Sequence, residues 1–197
     1  MDILVGLECV PIEGAPETID YFKQMGTKIH MLSADTKEKC VRACYQLNVF
    51  NSVKDSTTYY LDFTDKFSGE TQIKPIIEEL NQTVQALNLR HEHGEWQILK
   101  TQDSRVASET LSRFLHLVLV VSSSCLDYIN SDTYFIEHFM FCLEFTKSVV
   151  VYDCKPVHKQ EAVKIFKNMR RQTVAVGNGL NDILMLQEAG AGILLAG

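Results

Sequence analysis

The sequence predicts an α/β fold: a three-layer, mostly parallel, Rossmann-like sheet with helices on both faces. Three observations carry that expectation. Short unbroken apolar runs occur, such as LVLVV at 117–121 and SVVVY at 148–152. Strands buried on both faces of a parallel sheet read this way. Segments of helical period lie between those runs, as the crossovers of parallel strands require. Polar turns with glycine or acid, S-A-D at 33–35 and G-N-G-L-N-D at 177–182, fall where strands end. In such sheets ligands sit at the carboxyl ends of strands.

The elements follow in order. ILVGLECV at 3–10 reads as a short strand. A helix comes next, with Pro16 near its start, Ile19, Phe22 and Met25 at helical spacing, and Gly26 placed as a C-terminal cap. KIHMLSAD at 28–35 is a strand running into a turn, and TKEKCVRACYQLNVF is a helix with Val41, Cys44 and Leu47 along one face. Residues 51–113 are mixed in character and read as a variable helical insertion. Within them 73–93 looks helical through Ile76, Leu80, Val84 and Leu87, and His91 and His93 read as a polar loop. Alternation resumes at 114. The segments 114–123, 148–153, 172–178 and 191–197 read as strands. Helices at 132–147, 158–171 and 182–190 separate them.

Composition bounds the function. Of 197 residues, 46% are hydrophobic and 22% charged, which is ordinary for a globular chain. The net charge of −6 argues against nonspecific nucleic-acid binding, which needs basic surface. Six cysteines form no C-x-x-C pair and read as reduced core thiols. No run approaches the roughly 20 apolar residues of a membrane helix. The first residues carry neither the basic region nor the cleavage signature of a signal peptide.

Three local patterns suit phosphate chemistry. In HMLSADTKEKC the hydroxyl of Ser33 and the backbone N–H groups of the turn could donate to a phosphate oxygen; equally, Ser33 or Asp35 could cap the following helix. In KPVHKQEAV, Lys159 opens a helix after a proline turn and could neutralise a phosphoryl group, or be a solvated lysine. In GNGLNDILML two glycines allow close backbone approach. Asn181 and Asp182 could support a magnesium shell or simply order an Asn-Gly turn and a helix start.

S-A-D, then P-x-x-K, then G-N-G-x-N-D, in that order, resembles the haloacid-dehalogenase superfamily. More closely it resembles the phosphorylation domain of P-type ATPases of the lipid-flippase type. LECVPIEGAPETI is similar to I-E-D-x-L-Q-x-G-V-P-E-T-I of those proteins, KIHMLSADTKEKC to K-I-W-V-L-T-G-D-K-x-E-T-A, and GNGLNDILMLQEAGAGILLAG to G-D-G-A-N-D-x-x-M-I-x-x-A-x-x-G-x-G-I-x-G. The likeness covers the whole chain except 51–113.

The resemblance implies a chemistry. The family transfers the γ-phosphate of ATP to an aspartate in D-K-T-G-T, hydrolyses the aspartyl phosphate, and so drives phospholipid translocation. It implies Ser33 and Ala34 as phosphate-binding residues, with Lys159, Asp182 and Asp35 catalytic, and positions 178, 181 and 182 (Asn178, Asn181, Asp182) at the magnesium site. It implies ATP and magnesium as cofactors. Its implied setting is the cytosolic face of a membrane, as the soluble domain of a multi-pass protein. The implied partners are that protein's nucleotide-binding, actuator and transmembrane domains.

This chain departs from the pattern at several positions. No D-K-T-G-T occurs in it, so the nucleophile and the central strand that bears it are expected outside this chain. Unpaired sheet edges left by that strand suggest a homodimer. Asn178 stands where the family has the magnesium-ligating aspartate, Cys9 where it has the aspartate of I-E-D, and Ser122-Ser123 where it has D-G. Magnesium binding is therefore expected to be weak. Two outcomes fit: a domain of an active transporter, or a degenerate flippase-like regulatory or structural module, such as those fused to guanylyl cyclases. A free-standing phosphatase would need D-x-D near the start, where only Asp2 is found.

Overall fold

The computed structural model describes residues 11–50, 58–61, 89–92, 95–98 and 117–195. Strand 3–10 of the sequence reading and Cys9 lie outside them. Helix α1 (Ala15–Gln24) starts with Pro16 in its first turn. It ends before Gly26, whose φ of 80° is the left-handed geometry that glycine supplies at low cost. A two-residue strand β1 (Met31–Leu32) leads through the 33–35 turn into α2 (Lys37–Gln46).

Three strands lie inside the region read as a variable insertion: β2 (Thr58–Leu61), β3 (Leu89–Glu92) and β4 (Glu95–Ile98). β3 and β4 form an antiparallel hairpin. Within the helix expected over 73–93, residues 89–92 are therefore strand, and His91 belongs to that strand, not to a loop; 73–88 and His93 lie outside the described residues. Helical period cannot reveal a four-residue strand at the end of an apolar run.

The second half follows the expected alternation: β5 (Leu117–Ser122), α3 (Ser123–Asn130), α4 (Thr133–Phe145), β6 (Thr146–Tyr152), α5 (Pro156–Asn168), β7 (Val174–Gly177), a single 3-10 turn at Leu180–Asp182, α6 (Ile183–Glu188) and β8 (Ala191–Leu194). Helix α3 is an addition to the sequence reading. Its N-cap is Ser122, whose Oγ accepts from the Cys125 N–H.

The main sheet has four parallel strands in the order β1–β6–β5–β2. Side chains alternate between its two faces. Leu117, Leu119 and Val121 of β5, with Val149 and Val151 of β6, pack against α3, α4 and α5. Val118, Val120, Val150 and Tyr152 point the other way, onto Cys40 and Cys44 of α2 and onto Val49 and Phe50. Every residue of β5 is buried, as a central strand covered by two layers should be. The cysteines 40, 44, 125, 142 and 154 are buried and free, as the sequence suggested. Burial pushes the thiols of Cys44, Cys142 and Cys154 up to about 12, which makes them packing groups, not nucleophiles.

β7 and β8 form a separate parallel pair. One face of β7 is covered: Ala175 packs with Val163 of α5 and Met185 of α6. Its other face is bare, and Val174 and Val176 are 66% and 53% exposed. Leu32 of β1 reaches both the large core cluster and this small one. Helix α5 thus lies under β1 and β7 together, yet no ladder joins them among the described residues.

Backbone direction sharpens this point. In a parallel strand, alternate residues aim both their N–H and C=O groups to the same side. The Thr173 and Gly177 carbonyls accept from Ala191 and Leu195, on the β8 side. Val174 and Val176 therefore aim their backbone groups away from β8. Likewise the Ser33 N–H donates to the Val151 carbonyl of β6, so Leu32 aims away from β6. Among the described residues neither of these two backbone edges has a ladder partner.

Candidate functional site at the strand ends

The segments that follow β1, β6 and β7 carry Ser33 to Asp35, Lys159, and Asn178 to Asp182, whereas Ser122 and Ser123 follow β5. The Ser33 carbonyl accepts from the Cys154 N–H, and the Asp35 carbonyl accepts from the Asp153 N–H, at 2.9 and 3.0 Å. These bonds tie the S-A-D turn to the end of β6. Ser33 Oγ donates to Asp35 Oδ2 and accepts from the Asp35 N–H, both at 3.1 Å. Asp35 also lies 3.7 Å from Lys39 on the first turn of α2. Ala34 and Asp35 are exposed and Ser33 half-buried, with the Ser33 hydroxyl and the Asp35 N–H engaged with each other's residue.

From β6 the chain passes Cys154 and enters α5 at Pro156. Lys159 lies on the first turn of that helix and is buried, its side chain 6% exposed. Its Nζ donates to Asp182 Oδ1 at 2.7 Å. The ammonium is also near enough to Cys154 to lower that thiol's pKa, against the larger effect of burial. Lys159 and Asp182 are directly paired, and the Ser33 carbonyl is tied to the Cys154 N–H, five residues before Lys159.

Asp182 is also buried, and both its oxygens are engaged. Oδ2 accepts from the Asn178 N–H at 3.0 Å. Burial raises its pKa, but the hydrogen bond from Lys159, the Asn178 N–H and the Lys159 charge outweigh that, so the carboxyl is held below its usual range. Gly177 makes this geometry possible. A Cβ there would sit 2.5 Å from Asp182 Cβ and 2.8 Å from its Oδ2. Gly177→Ala is expected to displace Asp182 and cost about 1–3 kcal/mol, an overpacking penalty. A shift of the urea midpoint checks it.

Asn178 and Asn181 are exposed and stand at the mouth of this turn. Magnesium wants oxygen ligands, carboxylates above all. Here the position facing solvent offers a neutral amide, and the nearest carboxylate, Asp182, has spent both oxygens on Lys159 and Asn178. Among the described residues no group of three His, Cys, Asp or Glu side chains could hold a metal. The donor set does not fit a magnesium ion.

Sequence reasoning missed His158. Its Nδ1 accepts from the Lys155 N–H at 3.1 Å, and its Nε2 lies 3.2 Å from Asp127 of α3. This buried ring locks the turn that delivers Lys159. Only its place beside Lys159 in P-V-H-K could have hinted at that.

Comparison with known proteins is consistent with the geometry. No family model matches the chain. The chain is 25% identical over 186 residues to phospholipid-transporting ATPase DNF1 of Chaetomium thermophilum, covering 94% of the chain and 11% of that protein. It is 26% identical over 193 residues to human phospholipid-transporting ATPase VD, covering 98% and 13%. It is 27% identical over 186 residues to phospholipid-transporting ATPase dnf1 of Schizosaccharomyces pombe, covering 93% and 12%. The chain thus spans 11–13% of the length of these curated relatives. Over nearly all its length it is similar to one segment of these phospholipid-transporting ATPases.

Proposed function

We propose that this chain forms the larger part of a phosphorylation domain in a flippase-like P-type ATPase, and that residues 1–197 act as one such domain segment. A gap between β1 and β7, which share the cover of α5 but are joined by no ladder among the described residues, is the observation that carries this reading. It lies beside Ser33, Lys159 and Asp182, and it has the backbone edges of one missing parallel strand. A strand from elsewhere in the parent protein, ending in the acceptor aspartate, would place that carboxylate at the rim. Lys159 would then stand ready to offset phosphoryl charge, with Asp182 holding its ammonium in position. The Ser33 hydroxyl and the amides of Ala34 and Asp35 would donate to phosphate oxygens. Phosphoryl transfer depends chiefly on such positioning and charge neutralisation. In this reading the parent uses ATP, acts on phospholipid, and holds this domain at the cytosolic face of its membrane, beside its nucleotide-binding, actuator and transmembrane domains.

The test is to supply the strand in trans. A synthetic peptide with an apolar half followed by D-K-T-G-T is titrated into the chain by calorimetry. Saturable one-to-one binding is expected, lost when prolines interrupt the apolar half. Absence of binding, or equal binding of the proline peptide, contradicts the reading. A homodimer is the competing way to cover these edges; light scattering of a dimer that the peptide leaves intact would favour it.

One observation favours the second reading, of a catalytically degenerate module. Position 178 is an amide where the family's pattern has a carboxylate. Magnesium titrated calorimetrically into the native chain is expected to give no saturable heat, whereas Asn178→Asp gains a weak site. Saturable magnesium binding by the native chain, centred on Asn178, would refute the degenerate reading.

A further inference from the structure

The amino ends of the same strands, at the opposite rim of the sheet, enclose a second feature. A cavity of about 270 Å³ lies where α1 and α4 end and where β1 and β6 begin. Seven residues of β6 separate this end from the Ser33 rim, about 20 Å at strand rise. It is therefore distinct from the candidate site.

Its chemistry is one-sided. Lys23, Lys28 and Lys147 line it, and the single lining carboxylate is Glu144. Glu144 is already bound by Arg171. Ile29, Val49 and Phe145 provide an apolar floor. In a chain of net charge −6, three lysines against one carboxylate are a local excess.

The cations are held in place. Lys28 Nζ donates to the Leu143 and Glu144 carbonyls at the end of α4, at 3.4 and 3.1 Å. Lys23 Nζ donates to the Asn48 carbonyl at 2.5 Å and approaches Asp20 at 3.5 Å. Lys147 has no hydrogen-bond or ion-pair partner among the described residues. Burial of its ammonium, then the charge of Arg171, hold Lys28 below the usual lysine range, against an opposing pull from Glu144. Lys28 and Lys23 are thus held by carbonyls at the cavity wall, and Lys147 is the lining cation left to meet an anion.

We propose that this cavity binds a small phosphate-bearing anion, either free in solution or as the head group of a lipid. Fixed ammonium donors recognise phosphate as point charges. The volume is close to the lower end of ordinary ligand pockets, which suits a phosphomonoester.

The test follows backbone amides by NMR. Inorganic phosphate is titrated into the chain, and in a second arm phosphatidylcholine vesicles with and without phosphatidic acid. The expected result is a saturable shift at Thr27, Ile29 and Lys147 with phosphate, or selective binding to the phosphatidic acid vesicles; the arm that responds names the source. Lys147→Glu should weaken that response by about tenfold or more, as loss of one cation and gain of one anion imply. Lys147→Arg should retain it and confirms the fold. No response in either arm, a response only at Ser33 to Lys159, or one unchanged in Lys147→Glu overturns the proposal.

Discussion

Asp182→Ala is expected to lower stability by about 3–5 kcal/mol, the usual result of stranding one member of a buried ion pair. Lys159 sits in the interior, at 5% exposure, and Asp182 is its ion-pair partner. Without Asp182 the ammonium is left charged and unpaired in low dielectric. Against a total stability of about 5–15 kcal/mol this is a large fraction. Lys159→Met should cost less, because the Asp182 carboxylate keeps the Asn178 N–H. The double variant Lys159→Met with Asp182→Leu should recover most of the loss, since apolar replacement of a buried pair is often neutral. Urea unfolding of the three variants checks the order. The pair also has a pH signature. The folded-state pKa of Asp182 is depressed, so its contribution is present above the ordinary carboxylate value of 3.8 and disappears as pH falls below it through the folded value.

The second large effect lies at His30, between β1 and the start of β6. Its Nδ1 accepts from the Val149 N–H at 3.0 Å, and its ring stacks on Phe166 with centroids 4.4 Å apart. Burial, and then the charge of Lys28, lower its pKa from 6.5 to about 4. The neutral ring is the form that the fold needs, since a protonated Nδ1 could not accept from Val149. Above pH 6.5 neither state is protonated and nothing is lost. As pH falls from 6.5 toward 4 the unfolded chain binds a proton that the folded chain refuses. Stability should fall by about 3 kcal/mol over that window, the free energy of some 2.5 pKa units. His30→Gln keeps an acceptor but does not titrate there. Its stability should be flat from pH 6.5 to 4 except for changes shared with the native chain. Equal slopes for both proteins would remove His30 as the cause.

Much of this was legible in the sequence, for identifiable reasons. β5 and β6 announced themselves because strands covered on both faces must be continuously apolar. Gly26 marked the end of α1 because left-handed backbone favours glycine. Ser33, Lys159 and Asp182 could be picked out because parallel strands deliver their turns to one rim. The pairing of Lys159 with Asp182 could not, because 23 residues and a strand separate them and no local pattern records which carboxylate meets which ammonium. His30 gave no warning, since its burial depends on Phe166, over a hundred positions away. The strand at 89–92 was hidden at the end of an apparent helical period. The division of the sheet between β1 and β7 was suggested only by resemblance; its bare face at Val174 and Val176 is written in the fold and not in the alternation of the strand.

The central claim is that the edges of β1 and β7 await one parallel strand beside Lys159. Amide hydrogen exchange at Leu32, Val174 and Val176 tests it most directly. In the chain alone these amides should exchange orders of magnitude faster than those of Val118 to Val121, and the D-K-T-G-T peptide should slow all three together. Protection equal to that of β5 before any peptide is added, or exchange that the peptide leaves unchanged, would contradict it.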